Sequence, residues 1–259
     1  MAHIESSTAG HVLEIKVNRA EKYNALSPQM YIDLALALGQ VDRDPAVRVG
    51  LVHAEGPHFS AGVELDKWAP IFAGGNGFPV PEGGIDPFAI GGPRCRKPVV
   101  LAVQGYCYTW GVEFMLTTDV RVAADDTRFA MLEVKRGIYP CGGATLRLPQ
   151  QMGWANAQRY LLTGDAWSAA EAHRTGLVQE VVKPGEQLAA AREIARRLAA
   201  AAPMGVQAIL KSSRLAEAEG EAHAAAHIFD DMPGVMRSED AREGVQSFLE
   251  RRDAVFKGQ

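Results

Sequence analysis

Two glutamates sit among apolar neighbours. Glu113 lies in Trp110-Gly111-Val112-Glu113-Phe114-Met115-Leu116, and Glu133 in Phe129-Ala130-Met131-Leu132-Glu133-Val134. Glutamate is rarely fully buried without a partner. A carboxylate stripped of water either costs several kcal/mol or keeps its proton. Two such carboxyls in one chain form a candidate acid and base pair. The competing reading is structural, with each Glu paired to a cation such as Arg128 or Arg136, because ion-pair networks perturb carboxyls too.

Other reactive side chains carry less. Cys141 has no histidine base beside it in the sequence, so a thiol nucleophile is disfavoured. His223 and His227 are four apart on an expected helix, but no Glu follows His223 as an HExxH zinc motif requires. An amphipathic helix is the simpler reading, and no metal is expected. The Gly74 to Gly77 cluster lacks a following Gly-Lys-Ser/Thr, so it is no phosphate loop. His58 lies in the polar connection before Phe59 and could line a pocket or simply belong to the loop.

These residues need elements to hold them. His11 to Val17 alternates as a half-buried strand. Ser27-Pro28 opens a helix whose apolar face is Met30, Leu34, Leu38 and Val41. Val47 to His53 reads as a buried strand, followed by a turn and a helix near Leu65. Residues 73–93 are too rich in Gly and Pro for a regular element. A loop that long in a compact domain is expected to be a lid or pocket wall rather than a slack connector. Pro98 to Val103 and Val120 to Ala124 read as strands around a helix at Trp110 to Thr118, so that strand, strand, short helix recurs. After the turn at Gly137 to Gly143 the chain reads as mostly helical, with a strand at Leu177 to Val182. Helices are expected at Ala189 to Ala202, Met204 to Glu219 and Ser238 to Arg252.

Bulk composition narrows the partners. The 259 residues are 47% hydrophobic, enough for a large core. A net charge of -4 gives no global attraction to nucleic acid or an anionic membrane. Three widely spaced cysteines, Cys95, Cys107 and Cys141, suggest a reducing compartment. Met1 to Gly10 lacks the apolar stretch of a signal peptide, and apolar runs such as Val99 to Val103 are too short to span a bilayer. A cytoplasmic protein is expected.

Several segments, in order, resemble the crotonase superfamily of enoyl-CoA hydratases and isomerases. They are Asn18-Arg19 through Asn24-Ala25-Leu26, Phe59-Ser60-Ala61-Gly62-Val63-Glu64-Leu65, and Lys97-Pro98 through Gly105-Tyr106 to Glu113. Gly137-Ile138-Tyr139-Pro140 with Gly142-Gly143, Leu162-Thr163-Gly164-Asp165, Ser168 to Ala172 and Gly176-Leu177-Val178 complete the series. The resemblance implies an α/β fold of the ClpP/crotonase type, a spiral of β-β-α turns over residues 1–200. It also implies a C-terminal helical region at 201–259 used for trimerisation, giving a homotrimer or a hexamer of two trimers. The substrate so implied is an acyl-CoA. Coenzyme A enters as part of it, and no permanently bound cofactor is expected.

The resemblance also distributes roles. Glu113 would activate water and Glu133 would deliver a proton. The backbone N–H groups of Val63 and Trp110 would form an oxyanion hole for the thioester enolate. The Cys141 amide would face the water. Lys22, the Ala61 carbonyl, Phe248 and Arg251 would contact CoA. The chain departs from the family at Thr109 and Trp110, where glycine is usual, and at Asp66, where lysine is common and Lys67 comes one residue late. The Trp110 indole would either frame the acyl pocket or pack in the core. Hydration of a 2-enoyl-CoA is the first expectation. An isomerase, a CoA-thioester hydrolase or lyase, and a non-catalytic CoA-binding subunit stand beside it.

Overall fold

The computed structural model describes residues 3–259; Met1 and Ala2, the start of the segment read as lacking a signal peptide, lie outside the described residues. The chain opens as a hairpin, β1 (Ile4–Ala9) and β2 (Val12–Val17), followed by helix α1 (Pro28–Arg43) and strand β3 (Val49–Ala54). Helix α2 (Leu65–Ala73) precedes the Gly/Pro-rich segment, which contains no helix or strand. Then come β4 (Val99–Val103), β5 (Tyr106–Tyr108), α3 (Trp110–Met115), β6 (Val120–Ala124) and β7 (Arg128–Ala130). The remainder is α4 (Ala144–Met152), α5 (Trp154–Thr163), β8 (Trp167–Ser168), α6 (Ala169–Arg174), β9 (Glu180–Val182), α7 (Gln187–Ala200), α8 (Pro203–Glu219), α9 (Glu221–Ala226), α10 (Met232–Arg237) and α11 (Glu239–Glu250).

The strands form two sheets. The larger has the order β1-β2-β3-β4-β6-β9, parallel except for the β1–β2 hairpin. The smaller is β5-β7-β8, with β5 parallel to β7 and β8 antiparallel to it. Each turn of the chain lays one strand in the large sheet and the next in the small one, as β4-β5 and β6-β7 show. That alternation is the spiral.

Parallel strands buried on both faces carry unbroken apolar runs. In β3 and β4 every residue is buried. One face of the large sheet meets α1, α3 and the small sheet in the main core. The other face, Val49, Leu51, Val100, Ala102 and Val122, is covered by α7 through Ala191, Ala195 and Ala199. Alanines at i, i+4 and i+8 lie on one side of a helix, and their small side chains let α7 approach the sheet closely.

The expected helix at Ser27-Pro28 forms, with the Ser27 hydroxyl accepting the Met30 N–H and Pro28 in the first position. Other bounds move. The helix expected at Trp110 to Thr118 stops at Met115, where the Thr118 hydroxyl donates back to the Met115 carbonyl. Only Glu180–Val182 of the expected strand from Leu177 is a strand, because the Leu177 and Val178 N–H groups turn back to the Ala172 carbonyl. No helix among the described residues is long and apolar enough to cross a membrane.

Candidate active site

Glu113 lies on α3 and is 5% exposed. Its Oε1 accepts the Gly142 N–H at 2.7 Å and the Ala144 N–H at 3.2 Å. These amides belong to the turn that starts α4, where N–H groups lack intrahelical acceptors. The turn passes this close because residue 142 is glycine: a Cβ there would sit 2.5 Å from Glu113 Oε2. Phe88 closes the same spot, 3.1 Å from that Cβ position. Burial pushes the Glu113 carboxyl up to about 8; the Glu133 charge adds to this, while the Gly142 and Ala144 amides and Arg147 pull the other way.

Glu133 opens the 3-10 turn Glu133–Arg136 and is half-buried. Its Oε2 is buried without a hydrogen-bond partner among the described residues. Burial raises this carboxyl to about 7. The Cys141 thiol is pushed up to about 11 by burial first, then by Glu113 and Glu133. The Glu133 charge thus raises Glu113, and both carboxyls raise Cys141, whose neighbour Gly142 donates its N–H to Glu113. A thiol held that high is protonated at neutral pH and a poor nucleophile.

The structural alternative for the glutamates fails. Neither carboxyl takes part in an ion pair among the described residues. Arg128 and Arg136 instead lie beside the carbonyls of Thr127 and Lys135, each at 3.5 Å.

Val63 and Trp110 come from adjacent turns of the spiral. Leu26 forms a parallel bridge to Val63, made by Leu26 N–H to the Gly62 carbonyl and Glu64 N–H to the Leu26 carbonyl. In such a bridge the central residue's own N–H points away from the partner strand, so the Val63 amide is left free. Its freedom comes from the bridge, not from α2, which begins two residues later. Trp110 is the first residue of α3, so its N–H has no intrahelical acceptor. The residues before these donors touch: a Cβ on Gly62 would lie 3.0 Å from Thr109 Oγ1. The Trp110 ring is 1% exposed, packs on Phe59 and Phe114, and donates its indole N–H to Ser60 Oγ. Of the two sequence readings of this indole, core packing is the one realised.

The loop at residues 84–91 forms a packed wall. Asp86 is 5% exposed and accepts the Tyr31 hydroxyl at 2.6 Å and the amides of Phe88, Ile90 and Gly91 at 2.8 Å. Arg147 donates to the Phe88 and Ala89 carbonyls, both at 2.8 Å. The result is a fixed Phe88 ring, 1% exposed, beside Glu113. Neither Asp86 nor Phe88 was singled out from the sequence. An acid within a Gly/Pro-rich loop, followed two residues later by an aromatic, was the available signal.

The CoA candidates are split. Ala61 donates its N–H to the Tyr23 carbonyl at 2.9 Å, which brings Lys22 beside the Ala61 segment. Lys22 is exposed. Lys67 is committed to Glu64 at 2.7 Å, a carboxylate also gripped by Arg19 at 2.7 and 3.0 Å and held down to about 2, chiefly by Arg19. Phe248 is 82% exposed on α11, and Arg251 caps that helix in the left-handed region. The chain running on from α11 reaches the start of β3, where Arg48 holds the Phe256 carbonyl at 2.8 Å. No hydrogen bond or ion pair among the described residues links Phe248 or Arg251 to the glutamates. His58 is a loop residue: its Nδ1 accepts the Tyr106 N–H at 3.1 Å and its ring stacks on Tyr106. His223 and His227 face their own acids, Glu219 at 3.1 Å and Asp230 at 2.8 Å.

Comparison with known proteins agrees with this architecture. Residues 7–259 match the family model described as enoyl-CoA hydratase/isomerase. Among curated proteins, the enoyl-CoA hydratase EchA19 of Mycobacterium tuberculosis is 37% identical, covering 96% of this chain and 94% of its own. Carnitinyl-CoA dehydratase of Salmonella heidelberg is 34% identical, covering 96% of each. A crystal structure of a probable enoyl-CoA hydratase/isomerase from Mycobacterium abscessus superposes with a TM-score of 0.97 at 44% identity, over 100% of this chain and 99% of that one. An enoyl-CoA hydratase from Mycobacterium tuberculosis superposes at 0.88 and 32% identity, over 99% of both chains. The match spans the spiral, the glutamate-bearing turns and the C-terminal helices alike, so this chain belongs to the enoyl-CoA hydratase/isomerase family of the crotonase superfamily and is a crotonase-type enzyme.

Proposed function

We propose that this enzyme adds water across the 2,3 double bond of a 2-enoyl-CoA thioester. The observation that carries the reading is that buried Glu113 and half-buried Glu133 both lack an ion-pair partner among the described residues and are both raised into the neutral range. One proton shared by two carboxyls near pH 7 is what water addition needs: a base for the water and an acid for the carbon.

In the step we propose, Glu113 takes a proton from water as the oxygen bonds to C3. The displaced π electrons move through C2 onto the thioester oxygen, where the Val63 and Trp110 amides meet the developing charge. Glu133 then passes its proton to C2. Both carboxyls are raised into the neutral range, so this division of roles describes one microstate of a coupled pair. The Cys141 amide, beside both carboxyls, is the further group we place against the water.

Lys22 and the Ala61 carbonyl are our candidates for the nucleotide end of CoA. Phe248 and Arg251 lie on the C-terminal helices, away from their own chain's glutamates, so we assign them to a second copy's CoA in a homotrimer or hexamer. Free Cys95, Cys107 and Cys141 fit a cytoplasmic setting.

Crotonyl-CoA tests the reading by loss of its enoyl-thioester absorbance. Turnover that disappears in both Glu113→Gln and Glu133→Gln supports hydration. Loss in one variant only, together with turnover of a 3-enoyl-CoA, would instead establish isomerisation. CoA binding without turnover would leave a non-catalytic subunit.

A further inference from the structure

The two proposed oxyanion donors sit on separate loops, and something must fix the distance between them. The backbone does part of this. Phe59 N–H donates to the Gln104 carbonyl at 2.8 Å, Ser60 N–H to Tyr106 at 2.8 Å, and Tyr108 N–H to Ser60 at 3.0 Å. That ladder ends before either donor residue is reached. Thr109 then turns the chain at φ 51° and ψ −108°, a conformation that a β-branched residue rarely adopts. Its hydroxyl is buried without a partner among the described residues. The turn is therefore held by its surroundings rather than by its own preference.

We propose that the Trp110 side chain is a positioning strut: its indole N–H, through the Ser60 hydroxyl, locks the loop bearing the Val63 amide to the loop bearing the Trp110 amide. The proposal rests on the hydration reading above. Ser60 Oγ is the hub. It receives the indole N–H and the Gly62 N–H at 3.0 Å, and it donates to the Asn24 carbonyl at 2.9 Å. Gly62 directly precedes Val63, so one hydroxyl touches both sides of the proposed hole. Phe59 and Phe114 pack against the ring in tilted contacts, at centroid distances of 5.5 and 6.3 Å. A residue whose backbone donates and whose side chain braces makes donor geometry sensitive to the side chain, although the donor itself survives any non-proline substitution.

Trp110→Phe keeps an aromatic ring and the backbone N–H but deletes the indole donor. Losing an oxyanion donor outright costs about 10²–10³-fold in kcat. A displaced donor should cost less, so we expect a fall of about tenfold, with KM changed less than about twofold. Bound acetoacetyl-CoA supplies a second readout, because its enolate has its own near-ultraviolet band and only oriented donors stabilise it. That band should weaken in Trp110→Phe and in Ser60→Ala, and the double variant should be no worse than either single one.

Wild-type kcat and a full enolate band in Trp110→Phe would overturn the strut alone. Additive losses in the double variant would do the same, since independent damage is not a shared bond. If Trp110→Phe fails to fold, Ser60→Ala decides: a weakened band at unchanged Tm supports the strut, and a full band rejects it. A wild-type protein with neither crotonyl-CoA turnover nor an enolate band would overturn the hydration reading and the strut with it.

Discussion

At the scale of single residues, the chemistry turns on two carboxyls kept from water. Replacing either by Gln keeps shape and removes the proton exchange. Each of Glu113→Gln and Glu133→Gln should lower kcat for crotonyl-CoA hydration by about 10²–10⁴-fold, the usual range for a positioned acid or base, with circular dichroism unchanged. The pH dependence follows from the directions of the shifts. With carboxyls raised to about 7 and about 8, kcat/KM should peak between those values and fall on both sides. The limbs belong to the pair, and each single Gln variant should lose one of them. Stability runs with a definite sign as well. Between the ordinary glutamate range and about pH 8 the native state holds protons that the unfolded chain has released. Native stability therefore falls as pH rises from that range and levels off above about pH 8. Wild-type Tm should drop over about pH 5 to 8 more steeply than that of Glu113→Gln, and equal slopes would show that Glu113 is not a buried acid.

Individual elements carry the placement of those residues. The wall at residues 84–91 is anchored by one carboxylate that accepts three amides and a tyrosine hydroxyl. Hydrogen bonds to a charged group are each worth about 1.5–3 kcal/mol, and they are not additive. Asp86→Ala should therefore cost about 3 kcal/mol in urea unfolding. It should also free Phe88, lowering the Glu113 apparent pKa by admitting water. A pH profile that stays put while stability falls would deny Phe88 any influence on the acid. The turn into α4 makes a sharper case. Gly142→Ala places a methyl 2.5 Å from Glu113 Oε2, so the carboxyl or the turn must shift. Misplacement on the order of 1 Å can cost about 10²-fold, and a Gly142→Ala enzyme with kcat within twofold of wild type would show that this close approach is dispensable.

Considered whole, the chain leaves much apolar surface on its C-terminal helices and the turn between α9 and α10. Phe229, Met236, Phe248 and Leu249 are 74%, 60%, 82% and 69% exposed. Large apolar exposure suits association between copies, which accords with the oligomer we propose. Phe248→Asp together with Leu249→Asp should lower the mass seen by sedimentation equilibrium and raise KM for crotonyl-CoA. Unchanged mass with raised KM would place Phe248 at a CoA site without any role in assembly.

Local patterning was enough for the first helix, the buried strands β3, β4 and β6, and the candidate pair Glu113 and Glu133. A Ser-Pro start, a short run rich in Val, Leu and Ala and a lone carboxylate among apolar residues each state their preference within a few positions. Short elements such as β5 and β7, three residues each, left no such trace, because so brief a strand is held by its neighbours rather than by its own periodicity. The same reason hid the site's framework. That Val63 is freed by a bridge to Leu26, that Trp110 braces Ser60, and that Phe88 closes over Glu113 are relations between residues 25 to 50 positions apart. Local preference has no way to encode such distances; only the winding of two sheets into one spiral brings those side chains into contact or keeps them apart.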